Sequence, residues 1–341
     1  GYGKLITLSQ FLPGPSSSQI GFAIGYQRAG VAGGIAVFLG FTLPSFLLLY
    51  LLATFDETLT DTVYFNGLVK GLKLLAVVVV ADAVLSMYSS LCKGRLTGLM
   101  CILTASALLI IPSITTQFLA LATCALIGWS CLRITEEQHI GRLQFSWFPL
   151  TLFFLLLISL PLLQYVSPHV DLFSRFYQAG SLAFGGGHVV LPLLQQNVGE
   201  AVAIDRFLLG YSAAQAIPGP MFAMSAFLGA ELNPNQTLVG AFVAIIGIFL
   251  PGFLLIMAFH DTWETLTRKP NVAGAVAGIS ASVVGLLVAA FYQPVFVNAV
   301  FSPMDFSVVI VGFFILRFCR CPLLVFVLCF SAFGIFREIL G

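Results

Sequence analysis

Charge is what this sequence has least of. Asp, Glu, Lys and Arg make up 9% of its 341 residues, where soluble domains carry about a quarter. That scarcity excludes a soluble globular domain. The charges nearly cancel to a net +1, and no basic run exists to grip a phosphate backbone, so nucleic acid is excluded as a partner. Also missing are a Gly-x-Ser-x-Gly elbow, a His-Glu-x-x-His pair, a phosphate-binding Lys loop and a dinucleotide fingerprint, so neither catalysis nor a cofactor is expected. Cysteine numbers seven, mostly inside apolar stretches (Cys101, Cys124, Cys329) or singly at their ends (Cys92, Cys131). That placement suits buried thiols better than a disulfide framework. Cys319-Arg320-Cys321 is the only close pair, and with no His beside it a metal site is not expected.

What fills the chain instead is apolar: 59% hydrophobic residues, 33 of them Phe, and a mean hydropathy of +1.02. The class is an all-α polytopic membrane protein. Runs of spanning length or close to it lie at about 31–54, 66–91, 96–111, 114–132, 148–166, 172–198, 206–230, 237–260, 272–295, 304–317 and 322–338.

Two of these regions repeat. Pro13-Gly14-Pro15 recurs as Pro218-Gly219-Pro220, 205 residues on, each with a Gln (Gln10, Gln215) three residues ahead. Leu43-Pro44 recurs as Leu250-Pro251 at a spacing of 207, a register that continues to Gly71 over Gly278. Paired Pro/Gly-interrupted segments at matching places in two halves point to the binding site of a secondary transporter. The expected organisation is a first membrane repeat at 1–132, a cytoplasmic linker at 133–147 and a second repeat at 148–341. Phe184-Gly185-Gly186-Gly187-His188 stands ahead of Pro218, and its first-half counterpart would precede residue 1. The chain also opens Gly1-Tyr2-Gly3-Lys4, without a Met or signal peptide, so one or two elements are expected ahead of it.

Arg28, Lys93, Arg95, Arg133, Arg142, Arg268 and Lys269 fall on one side of an alternating trace and Asp56, Glu57 and Asp61 on the other. The positive-inside rule makes the first side cytoplasmic. Seven proposed crossings separate Arg28 from 231–236, an odd number, so the repeats are expected to be inverted.

Proline suits the first turn of a helix, and Gly between two prolines allows a sharp bend. Fresh helices are therefore expected at Pro15 and Pro220. The first-turn N–H groups at Ser16, Ser17, Ser18 and at Met221, Phe222, Ala223 would lack intrahelical partners and carry the positive end of the helix dipole. Two such ends near the bilayer midplane would make an anion site. Gly185, Gly186 and Gly187 weaken a helix, so they read as a re-entrant turn or as a close helix contact. Lys70 and Lys73 share a helical face; Lys70 reads as snorkelling and Lys73 as the cation that draws an anion in. Asp82, read as the deepest carboxylate, and His188 are the proton-coupling candidates; each also reads as a paired or packing residue.

At Gln10 to Tyr26, Arg28-Ala29-Gly30, Leu43-Pro44, Phe184 to Leu194 and Gln215 to Gly229, the chain resembles the chromate ion transporter family over nearly its whole length. The resemblance implies two homologous halves of opposite orientation in the bacterial inner membrane. It also implies export of chromate, a tetrahedral dianion shaped like sulfate, driven by the proton motive force. The expected mechanism is alternating access, the halves rocking about a site made of Pro13, Gly14, Pro15, Ser16 to Gln19, Pro218, Gly219, Pro220 and Met221, lined by Gly185 to Gly187 and charged by Lys73. The expected partners are chromate or sulfate and the lipid bilayer, with a homo-oligomer open. A sulfate or other oxyanion permease would use the same architecture. A membrane-embedded chromate reductase would need a flavin, haem or nicotinamide site, which the sequence does not display.

Overall fold

Short polar side chains mark several helix starts. Thr62, Ser113 and Ser167 each accept a hydrogen bond from the backbone N–H three residues on, with Pro168 in the first turn after Ser167, so an otherwise orphan donor is satisfied. The computed structural model describes residues 12–54, 62–132, 146–183, 187, 190–198, 201–260, 270–319 and 322–340. Among them there is no strand.

The helices are α1 (Ser16–Ala53), α2 (Val63–Leu91), α3 (Arg95–Ile110), α4 (Ile114–Cys131), α5 (Trp147–Leu163), α6 (Pro168–Ser181), α7 (Val190–Val198), α8 (Ile204–Ala216), α9 (Met224–Leu232), α10 (Thr237–Phe259), α11 (Pro270–Ala290), α12 (Pro303–Cys319) and α13 (Leu323–Leu340). Stretches containing α1, α10 and α11 are long and apolar enough to cross a membrane. Large apolar side chains such as Leu103, Leu126, Phe148, Ile158, Phe314 and Leu328 are exposed, an outer surface suited to lipid rather than water.

α1 is two arms, because Ala29 leaves helical geometry and Gly30 takes φ +61°. The arms fold back on each other: Gly25 and Gly33 are so close that a methyl on either would strike the other's carbonyl, and Gly34 lies on the Phe22 ring. Gly229 of α9 and Gly240 of α10 meet in the same way. The two Leu-Pro pairs do not break their helices. Pro44 and Pro251 sit inside α1 and α10, where the cost is a missing N–H rather than a new helix start.

The apolar runs at 172–198 and 206–230 are not crossings. Arg175 of α6 donates to the carbonyl of Asn197 at the end of α7, and Arg206 of α8 holds Glu231 at the end of α9. Each run is therefore a pair of short arms that returns on itself, the second turning at 217–220. Arms of 14, 9, 13 and 9 residues reach about 13–21 Å, short of the ~30 Å hydrocarbon core. Composition misleads here because a buried half-membrane helix is as apolar as a crossing one. The hairpins form the middle of the molecule: Phe176, Tyr177, Phe207, Tyr211, Phe222 and Phe227 are among its most buried large side chains.

Around them early and late helices of the chain interleave. α2 packs on α13 through Gly67, Gly71 and Gly334, and α11 packs on α4 through Gly274, Gly278 and Gly128. Gly274 and Gly278 follow Gly67 and Gly71 by 207 residues, the spacing of the Leu-Pro pairs. In both places a small residue lets backbones touch.

Candidate functional site

The two Pro-Gly-Pro segments are hairpin tips or helix entries, and each is bent by a glycine that no other residue replaces without strain. Gly14 has φ +129° and Gly219 φ +149°, a region that L side chains rarely adopt. Pro15 is the residue before α1, as expected. Pro220 opens instead into a short 3₁₀ turn at Met221–Ala223, ahead of α9. That turn lets the Ala223 N–H reach the Pro220 carbonyl at 2.9 Å, so Ala223, read from sequence as an orphan donor, is satisfied. In α1 the first N–H to find an intrahelical acceptor is that of Gln19, at 2.8 Å from the Pro15 carbonyl.

The tips meet the opposite half reciprocally. A methyl on Gly14 would lie 2.9 Å from Cα of Gly252, and one on Gly219 would lie 2.5 Å from Oγ of Ser45. Ser45 and Gly252 each follow the proline of their Leu-Pro pair. Each Pro-Gly-Pro bend is thus seated on the helix that carries the sequence-distant Leu-Pro pair.

Ala183 and Gly187 each touch one of the bends. The Gly14 N–H donates to the Ala183 carbonyl at 2.6 Å, and Gly187 lies against Met221, whose Sδ would be 2.9 Å from an added methyl. Gly185, Gly186 and His188 lie outside the described residues. The structure therefore brings together Gly14, Gln19, Gly187, Gly219 and Met221 from the sequence reading, and adds Thr42, Ser45 and Gly252.

The surroundings are polar and under-satisfied. Gln19 is fully buried; its Nε2 donates to the Pro13 carbonyl at 2.7 Å and lies 3.5 Å from the Gly252 carbonyl, while its Oε1 has no partner. Ser18 Oγ, Thr42 Oγ1 and Ser225 Oγ are likewise buried without a partner. Buried polar atoms left unpaired are costly, and hydroxyls beside a helix start suit an anion's oxygens. Ser17 and Pro218 are exposed, so the bends are reachable.

Lys73 lies apart from them. It is buried and ion-paired with Asp205 in the first turn of α8. It lines a cavity of about 410 Å³ with residues of α2, α12 and α13 rather than with either bend. Lys70 is mostly exposed and bonds Glu338 at 2.6 Å, which agrees with a charge held at an edge. Asp82, read as the deepest carboxylate, is partly exposed and accepts from Arg317 at 3.0 Å. Among the described carboxylates the most buried is Asp305, at 2% exposure, accepting from Arg337, Ser302 and the Phe301 N–H. No sequence signal marked Asp305, because a carboxylate at the start of a helix reads as solvated. Arg337→Ala is expected to destabilise the protein by about 2 kcal/mol, since Asp305 keeps three other donors; a thermal-unfolding series in detergent checks it.

Crossing helices, half-membrane hairpins and a lipid-suited surface define a multi-pass membrane protein of the all-α class. The chain belongs to the chromate transporter family, whose model matches residues 2–129 and 170–335. It is 26% identical over 318 residues to a chromate transport protein of Pseudomonas aeruginosa, covering 84% of this chain and 69% of that one. It is 24% identical to an uncharacterised transporter of Methanocaldococcus jannaschii, over 83% of this chain and 72% of the relative. A chromate transport protein of Cupriavidus metallidurans is 23% identical over 85% of this chain and 71% of its own length. No solved structure matches.

Proposed function

We propose that the chain carries chromate across the bacterial inner membrane by alternating access, exporting it in exchange for protons. The observation that carries this reading is the reciprocal seating of Gly14 on Gly252 and of Gly219 on Ser45, with Ser18, Thr42 and Ser225 presenting unpartnered buried hydroxyls in the same segments. A tetrahedral dianion offers four acceptor oxygens to hydroxyl and backbone N–H donors. The site comprises Pro13, Gly14, Pro15, Ser16, Ser17, Ser18 and Gln19 on one side and Pro218, Gly219, Pro220 and Met221 on the other. Gly187 lies against Met221 on the second side, and Lys73 supplies charge from its separate cavity. Chromate, rather than another oxyanion, comes from the relatives named as chromate transport proteins.

The repeats in this reading are inverted. Two of the seven runs between Arg28 and 231–236 are hairpins, which leaves five crossings and the same odd parity. Reciprocal contacts of the form first-on-second and second-on-first are those of a two-fold relation, here with its axis in the membrane plane.

Proton gradients across such a membrane point inward, so export couples most simply as antiport, with Asp82 or His188 carrying the proton. Asp82→Asn is expected to leave chromate binding intact and to abolish acceleration by an imposed pH gradient; acceleration at the native level removes Asp82 and leaves His188. Uptake of labelled chromate and sulfate into everted vesicles, separately and in competition, tests the whole reading. Gradient-driven chromate accumulation is expected. Sulfate accumulation without chromate overturns the substrate, and accumulation of neither overturns transport.

A further inference from the structure

Lys73 is nine-tenths buried at its side chain, yet the carboxylate that neutralises it, Asp205, is 59% exposed. A buried ammonium needs an anionic partner; an exposed carboxylate, already solvated, gives little in return. The partnership is lopsided in a way that favours exchange: another anion arriving in the cavity meets a fixed, desolvated cation whose present partner leaves for water at small cost. The cavity is large enough, at about 410 Å³, for a tetrahedral oxyanion with water. The other cations on its wall, Lys70 and Arg337, are held by Glu338 and by the buried Asp305. Asp205 also opens α8, the helix that leads directly to the Pro218-Gly219-Pro220 bend, and α8 is tied to α2 a second time, where Ser212 donates to the Leu72 carbonyl at 2.9 Å.

We propose that Asp205 is an internal stand-in for the transported dianion: it occupies Lys73 until an oxyanion displaces it, and its release frees the outer end of α8. The inference rests on the transport reading and adds to it a residue that competes with substrate. While Asp205 holds Lys73, only a fraction of molecules is ready to bind, and the apparent affinity is lowered by that fraction.

Sulfate, which is not reducible under assay conditions, serves as the probe, with binding followed by the rise in melting temperature of the purified full chain and by inhibition of chromate uptake. Asp205→Asn is expected to lower the half-saturating sulfate concentration about tenfold and to make the variant's melting temperature more sulfate-dependent than the wild type's. Lys73→Gln is expected to raise that concentration. The double variant Lys73→Gln/Asp205→Asn is expected to match Lys73→Gln alone, because Asp205 acts only through Lys73. An unchanged or weaker affinity in Asp205→Asn, or a gain that survives without Lys73, overturns the proposal. Should Asp205→Asn fail to fold, carbodiimide labelling of wild-type Asp205, read by mass spectrometry, is expected to rise severalfold with sulfate; constant labelling overturns the proposal. A wild type that binds no oxyanion at all sinks the transport reading itself, whereas binding that is indifferent to Asp205 sinks only this inference.

Discussion

Gly71→Leu abolishes the folded protein. Even the first carbon of a side chain at Gly71 would strike the Phe330 carbonyl, and the obstacle is backbone on α13, which no rotamer change removes. Overpacking inside a well-packed contact costs about 1–3 kcal/mol, and moving two helices apart also opens the contacts of Gly67 and Gly334 beside it. The expected readout is loss of the monodisperse peak in size-exclusion chromatography together with low membrane yield. Gly278→Leu is expected to do the same, because a side chain there meets the Cys124 carbonyl in the equivalent contact between α11 and α4. A well-folded Gly71→Leu protein would mean that the α2 and α13 backbones do not touch.

Gly219→Ala behaves differently: the chain folds, and transport falls by at least tenfold. Two terms act together. Holding a non-glycine residue at φ +149° costs about 1–3 kcal/mol, and the new methyl would sit 2.5 Å from Ser45 Oγ. Pairing it with Ser45→Gly, which copies the Gly252 arrangement of the other bend, removes the clash and keeps the strain. The pair is therefore expected to recover part of the lost rate in the vesicle assay. Full recovery would mean that backbone strain is irrelevant, and no recovery that Ser45 is not what the bend rests on.

Much of the site was written locally. Pro-Gly-Pro is a bend whatever surrounds it, so its two copies announced two bends, and the glycine run at 185–187 announced a third place where something other than helix stability is served. What each bend rests on was not local. Ser45 and Gly252 are small residues directly after the prolines of the Leu-Pro pairs, a usable signal in retrospect, but only the tertiary exchange shows that each serves the opposite repeat. The hairpins were hidden for a different reason: 172–198 and 206–230 have the apolar length of a crossing, and only the pairing of Arg175 with Asn197 and of Arg206 with Glu231 reveals the return. Ion pairs such as Lys73 with Asp205 join residues more than a hundred positions apart, beyond the reach of any spacing rule.

The interleaving of α2 with α13 and of α4 with α11 decides which parts can travel. A cut between α4 and α5 would free no mechanical unit, because α2 and α4 each pack through glycine on a helix from the far side of that cut. Whole-repeat rocking, the simplest picture for a duplicated transporter, would have to pull apart glycine-lined backbone contacts at two places at once. The frame is therefore a composite, built from α2, α4, α11 and α13, with the buried hairpins α6–α7 and α8–α9 packed against it. One set of glycine contacts thus ties early and late stretches of the sequence into a shared chassis.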